Sequence, residues 1–99
     1  MMPVGPGVQP NYWLTCVVID PQRFGASRED LRLALEEMDV ESRPTWKPLH
    51  LQSLYRGAQQ LRGSVSEAVF ERGLCLPTGS RLSERDQERI IARVLELGR

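Results

Sequence analysis

The residues best equipped for chemistry stand together in Glu41-Ser42-Arg43-Pro44-Thr45-Trp46-Lys47-Pro48-Leu49-His50. This run gathers the only histidine, the only lysine and one of the two tryptophans. Proline fixes φ and bars the preceding residue from the helical region. Pro44 and Pro48 therefore hold the run extended or turned, outside any regular helix. A stiff loop can present Arg43, Trp46, Lys47 and His50 to a phosphate, sugar or carboxylate with little ordering cost. A plainer reading has Trp46 plugging the edge of the core, His50 hydrogen-bonded locally and the charges solvated. Chemistry alone leaves both readings open.

Gly73-Leu74-Cys75-Leu76-Pro77-Thr78-Gly79-Ser80 is a second candidate, since small residues after a strand let backbone approach a ligand. A tight strand-to-helix connection explains it more simply. Lys47 is the only amine able to form an imine with a carbonyl cofactor. Such a lysine needs a desolvated pocket, and Lys47 in a surface loop reads instead as a solvated or anion-pairing cation. There is no constrained Ser/His/Asp spacing, no Gly-rich phosphate loop and no His-Glu-x-x-His. None of these motifs therefore supplies a catalytic or cofactor-binding residue, and no metal-binding residues are expected. Glu36 and Glu37 sit on the solvent side of a helix. Cys16 and Cys75 lie in apolar runs and read as two buried thiols, in preference to a disulfide or a metal site.

The elements that must position these residues follow from periodicity. Tyr12–Ile19 is aromatic and β-branched and ends at Asp20-Pro21, predicting a strand. Both of its faces are apolar, so it should be central in its sheet or covered on both sides. Ser27 caps a helix to Met38, with Leu31, Ala34, Leu35 and Met38 as its buried stripe. Val40–Arg43 is a short strand leading into the proline-braced loop. Leu51, Leu54 and Tyr55 allow one helical turn within Pro48–Arg56, and residues 57–63 are loop. Ser64-Val65-Ser66-Glu67 is a second capping signature, opening a helix to Arg72 with Gly73 as its C′ residue. Leu74–Leu76 is a third strand. Ser83 caps a last helix to Leu97, with Ile90, Ile91, Val94 and Leu95 inward. The predicted fold is α+β, a small, mostly antiparallel three-stranded sheet with helices packed on it.

Ninety-nine residues suffice for one domain, burying roughly 60–65% of the unfolded surface. Residues 1–10 carry three prolines and two glycines and read as a flexible leader or boundary segment, leaving 11–99 as the domain. Formal net charge is zero, so there is no basic excess to neutralise a nucleic acid backbone, and none is expected as partner. No apolar run approaches the roughly 18–20 residues that span a bilayer, and no signal peptide is visible. A cytoplasmic location with no membrane partner is expected.

Three blocks carry a resemblance. Asn11-Tyr12-Trp13-Leu14-Thr15-Cys16, Glu41-Ser42-Arg43-Pro44-x-Trp46-Lys47-Pro48-x-His50, and Gly73-Leu74-Cys75-Leu76-Pro77-Thr78-Gly79-Ser80-x-Leu82-Ser83 resemble, in order and spacing, the C-terminal part of the DegT/DnrJ/EryC1/StrS sugar aminotransferases. The resemblance implies the small domain of the aspartate-aminotransferase fold. It also implies a pyridoxal-phosphate enzyme that moves an amino group, commonly from glutamate, onto a nucleotide-linked keto sugar. Products of such enzymes feed surface polysaccharide, glycoprotein glycan or antibiotic sugar pathways. By the same match, Arg43, Trp46, Lys47 and His50 contact or shape the substrate site, and the parent is a homodimer whose large domain packs on this one.

The family's large domain carries the imine-forming lysine, the partner of the pyridine nitrogen and the phosphate-binding groups. None has a counterpart in these 99 residues. The chain alone is expected to hold no cofactor and to be inactive. The alternative is a free-standing, non-catalytic module that binds a sugar nucleotide or a protein. Trp13, Trp46, Leu49, Leu51, Leu54 and Tyr55 exceed what so few elements can hide, so the segment from Trp46 to Tyr55 is expected to self-associate or to be mobile.

Overall fold

A computed structural model describes residues 4–61 and 63–98. Residues 1–3 of the expected leader and residue 62 of the expected 57–63 loop lie outside the described residues. Strands β1 (Thr15–Val18), β2 (Arg43–Pro44) and β3 (Gly73–Leu76) form one antiparallel sheet in the order β1-β3-β2. The helices are α1 (Pro21–Phe24), α2 (Arg28–Glu36), α3 (Val65–Arg72) and α4 (Glu84–Leu97).

β3 is central: it pairs with β1 on one side and β2 on the other, and it is the most buried of the three strands. Gly73, Leu74 and Cys75 are all buried. Ile19 donates its N–H to the Arg72 carbonyl at 2.9 Å, so residues 19 and 72 form a hydrogen-bonded pair. Alternation along an antiparallel ladder then makes Cys16 and Cys75, which are directly opposite, a non-hydrogen-bonded pair. On the other side, Thr45 donates its N–H to the Gly73 carbonyl at 3.2 Å. Pro44, opposite Leu74, thus falls on a non-hydrogen-bonded position of an edge strand. Its missing N–H is not needed there, which explains how the second strand runs through the first proline of the loop.

Leu74 and Ile19 meet Leu31 and Leu35 of α2 and Ile90 of α4 to form the core. α2 begins as its sequence requires: Ser27 Oγ accepts from the Asp30 N–H and Asp30 accepts from the Ser27 N–H, a complete capping box. It ends where Asp39 takes a left-handed conformation, φ 57°, with the Val40 N–H reaching back to Leu35 O, the pattern of a Schellman-type stop. Ser83 caps α4 in the same way, accepting from the Asp86 N–H. Arg93 ties α4 to α2 through the Ala34 carbonyl at 3.3 Å and the Glu37 carboxylate at 2.8 Å. Arg28 ties α2 to α3 through the Phe70 carbonyl at 3.2 Å.

Four expectations are corrected. β1 is neither central nor covered on both faces: it is an edge strand, and Val18 is 63% exposed. Its inner residues Val17 and Ile19 reach the core, while nothing among the described residues covers the outer face. Tyr12 does not belong to the strand, because its φ is 52°. Cys16 is exposed, and only Cys75 is buried. In α4 the inward residues are Ile90, Val94 and Leu97, whereas Ile91 and Leu95 face outward. The last helix packs through a narrower stripe than its apolar residues allow.

Smaller differences have local causes. Asp20-Pro21 opens a short helix, because the Asp20 side chain accepts from the Gln22 N–H and proline suits the first helical turn. The segment after Pro48 forms two 3₁₀ turns, Leu49–Leu51 and Ser53–Tyr55. Gly73 caps α3 with an extended φ of −89°, passing directly into β3 with no left-handed turn. It must be glycine for space: a Cβ there would lie 2.3 Å from Val69 O and 2.5 Å from Thr45 Oγ1.

Candidate functional site

The sheet and α4 frame an open groove of about 1200 Å³ lined by Trp13, Ser42, Arg43, Trp46, Cys75, Asp86 and Arg89, among others. Trp13 enters just before β1, held at both ends. Its N–H donates to Asn11 Oδ1 at 3.1 Å and its carbonyl accepts from Thr78 Oγ1 at 2.8 Å. The left-handed Tyr12 between Asn11 and Trp13 is an uncommon state for an aromatic residue, and these two bonds are what hold the turn.

Trp46 leaves β2 beyond Thr45. Thr45 is buried and donates its hydroxyl to Val69 O at 2.8 Å, anchoring the strand end against α3. The two indoles then meet with ring centroids 5.8 Å apart and planes tilted by 45°, within the range of favourable aromatic pairs. Both stay mostly exposed. Arg43 points its guanidinium at Glu41, with Nε 2.7 Å from Oε1. Asp86 takes a hydrogen bond from Ser83 Oγ at 2.6 Å and an ion pair from Arg89 at 3.4 Å. The Ser83 bond, then the Arg89 charge, holds the Asp86 carboxyl below its ordinary value. Ser42 Oγ is buried and has no hydrogen-bond partner among the described residues.

Of the four residues singled out in the sequence, the structure brings Arg43 and Trp46 to this groove. Lys47 does not line it. Its side chain is exposed, and its backbone carbonyl accepts from Gln52 Nε2 at 3.0 Å. His50 turns to α3, with Nε2 2.8 Å from Glu67 Oε1, and so fastens the 3₁₀ segment to that helix. Trp13, like Asp86 and Arg89, is a groove residue that residue-by-residue reading missed. Its place in the first resemblance block was the available signal. The Thr78 loop works as a connection that positions Trp13. Among the described residues no cluster of three or more His, Cys, Asp or Glu could hold a metal, and no helix is long and apolar enough to cross a membrane.

What the geometry defines is a small antiparallel α+β domain with an aromatic and guanidinium-lined groove at one end of its sheet. The sequence model of the DegT/DnrJ/EryC1/StrS aminotransferase family matches residues 1–95, and the chain belongs to that family. It is 43% identical over 91 residues, 88% of its length, to EpsN of Bacillus subtilis (strain 168), named as a pyridoxal phosphate-dependent aminotransferase. It is 36% identical over 69 residues, 69% of its length, to the GDP-perosamine synthase of Vibrio cholerae. Among solved structures it resembles the aminotransferase TlmJ from Streptoalloteichus hindustanus, with a TM-score of 0.79 and 28% identity over 97% of the chain. The chain spans 23% of EpsN, 18% of the synthase and 25% of TlmJ.

Proposed function

We propose that this chain is the C-terminal small domain of a pyridoxal-phosphate-dependent nucleotide-sugar aminotransferase, acting from glutamate on a keto sugar in the cytoplasm as a homodimer. Residues 11–99 are the domain, and residues 1–10 a flexible leader or boundary segment. Arg43, Trp46, Lys47 and His50 belong to the substrate side. The observation that carries this reading is family membership joined to the groove: the motif residues Trp13, Arg43 and Trp46, separated in sequence, line one surface. Indole faces suit a planar base, and a guanidinium suits a phosphate. Among the described residues the Arg43 guanidinium is held by an exposed pair with Glu41 alone, and such a pair is worth about 0–1 kcal/mol. An incoming phosphate can therefore recruit Arg43 cheaply. One relative is named for a GDP-linked compound, which supports a nucleotide sugar.

The cofactor does not fit this chain by itself. Its single lysine is exposed and outside the groove, whereas an imine-forming lysine needs desolvation. The chain's part is to bind and orient the sugar nucleotide, while amino transfer belongs to the parent. Purified chain mixed with pyridoxal phosphate should give no visible imine absorbance. A stable band that vanishes in Lys47→Ala would overturn the reading. Titrating a nucleoside diphosphate sugar should quench tryptophan fluorescence, and Trp46→Ala should weaken binding about tenfold, a loss of about 1.4 kcal/mol. Upstream genomic sequence separates the free-standing module from this reading. An in-frame large domain supports the aminotransferase, and a stop codon supports the module.

A further inference from the structure

We propose that Cys16 and Cys75 are a dithiol oxidation site, which a small-molecule disulfide of the glutathione class converts to a covalent bond between β1 and β3. The two residues lie 59 positions apart in sequence yet directly opposite in the ladder. Their sulfurs are 3.5 Å apart. The hydrogen bond from Ile19 to Arg72 fixes the ladder phase, and it places them as a non-hydrogen-bonded pair. Opposite residues of that kind have Cα atoms about 4.5 Å apart and side chains close together, inside the range of about 4.4–6.8 Å that a disulfide bridges. Strand movement is therefore not required for the bond to form.

The pair is asymmetric in the way exchange chemistry uses. Cys16 is exposed on an edge strand, whereas Cys75 is buried. Burial, then the hydrogen bond to Cys16, pushes the Cys75 thiol up to about 11, so it is a poor first nucleophile at neutral pH. The Cys16 thiolate attacks one sulfur of the oxidant, forms a mixed disulfide and releases one small thiolate. Cys75 then gives up its proton and attacks the Cys16 sulfur. The Cys16–Cys75 bond forms, the mixed disulfide breaks and a second small thiolate leaves. Both released thiolates take up the protons lost by the two cysteines. The chain is oxidised by two electrons and the small disulfide is reduced to two thiols. Cys75 also lines the groove, so the product disulfide borders the same groove as Trp13 and Arg43. This site is independent of the aminotransferase reading.

The test is exposure of the reduced 99-residue chain to oxidised glutathione, followed by intact mass and thiol alkylation under non-reducing conditions. The expected product is a monomer lighter by two hydrogens, with neither thiol alkylated in denaturant and both restored by reductant. Cys75→Ser should stop at a glutathione adduct on Cys16. Cys16→Ser, a change at an exposed position, should leave Cys75 unmodified in the native state and alkylatable after unfolding. A stable glutathione adduct on the unsubstituted chain, a cross-linked dimer, or no loss of thiols would each overturn the proposal. So would modification of Cys75 at the full rate in Cys16→Ser.

Discussion

The side of the molecule built by α2, α4 and β3 and the side built by residues 46–61 use similar apolar residues to opposite effect. On the first, Leu31, Leu35 and Leu74 are closed off entirely from solvent. On the second, Leu54 is 82% and Leu61 is 96% exposed, with Trp46, Leu49, Leu51 and Tyr55 also open. The radius of gyration, 15.6 Å, exceeds the roughly 13 Å of a compact domain this long, in keeping with segments that stand away from the core. The difference teaches what each half was selected to pack against. The first half closes its inner stripes on its own chain, although Leu33 of α2 and Ile91 and Leu95 of α4 face outward. The second carries leucine and tryptophan side chains that gain nothing from water, which is the form of an interface.

The comparison breaks most readily at Leu74. Leu74→Ala empties a site at the meeting of β3, α2 and α4 and should cost about 2–5 kcal/mol, enough to unfold much of the population. Leu54→Ala should move stability by no more than about 0.5 kcal/mol. Urea denaturation of both variants checks this, and equal losses would mean that residues 46–61 have a core of their own. Gly73→Ala comes next. Its new Cβ meets Val69 backbone and the Thr45 side chain together, and overpacking of this kind costs about 1–3 kcal/mol. Thr45→Val on the same contact removes a bond to Val69 O and should cost about 1 kcal/mol.

Acid sharpens the contrast on the well-packed side. The Ser27 hydrogen bonds hold the Asp30 carboxyl below its ordinary value of 3.8, and Ser83 does the same for Asp86. A carboxyl with a lowered folded pKa contributes stability above 3.8 and loses it as pH falls through the folded value. The gap between the unsubstituted chain and Ser27→Ala, about 1 kcal/mol at neutral pH for the lost helix cap, should therefore narrow on acidification. Thermal melts at pH 7 and below pH 3 test the sign.

How much of this was legible in the sequence depends on whether the deciding contact is local. The Ser27 cap, the stripe residues Leu31, Ala34 and Leu35 and the brief β3 all follow from near neighbours and form, while Met38, the expected fourth member of the stripe, lies beyond the helix end at Glu36 and is half-buried. The position of β1 was not legible. Alternation tells which residues share a face, but whether a strand is central depends on a partner more than fifty residues away. The outward turn of Ile91 and Leu95 is missing for the same reason. At the groove, rare residue types drew attention to Arg43, Trp46, Lys47 and His50, while only the fold separates the first two from the last two. Thr45 escaped notice because its role, a hydroxyl satisfied by Val69 O, leaves no trace in its own neighbourhood.

The smallest expected effect tests one signature that occurs twice. Ser27 and Ser64 each precede a helix, with an acid three positions on. At Ser27 both reciprocal bonds form. Ser64 makes no side-chain cap bond, and its φ of −108° and ψ of −2° lie in the helical region, where the hydroxyl cannot turn back over the first turn as an extended cap residue does. Glu67, which should complete the box, is engaged by His50 instead. A long-range contact has displaced the local one. Ser64→Ala should then leave stability unchanged within about 0.5 kcal/mol, against about 1 kcal/mol for Ser27→Ala. Glu67→Ala should likewise move the global stability little, because one exposed side-chain hydrogen bond contributes about 0.5–1.5 kcal/mol. Its effect should fall on the segment His50 holds: amide exchange across residues 49–56 should quicken while exchange in α2 stays the same. If Ser64→Ala costs as much as Ser27→Ala, the helix is locally capped in solution, and the tether of the groove-side segment to α3 is not what orders it.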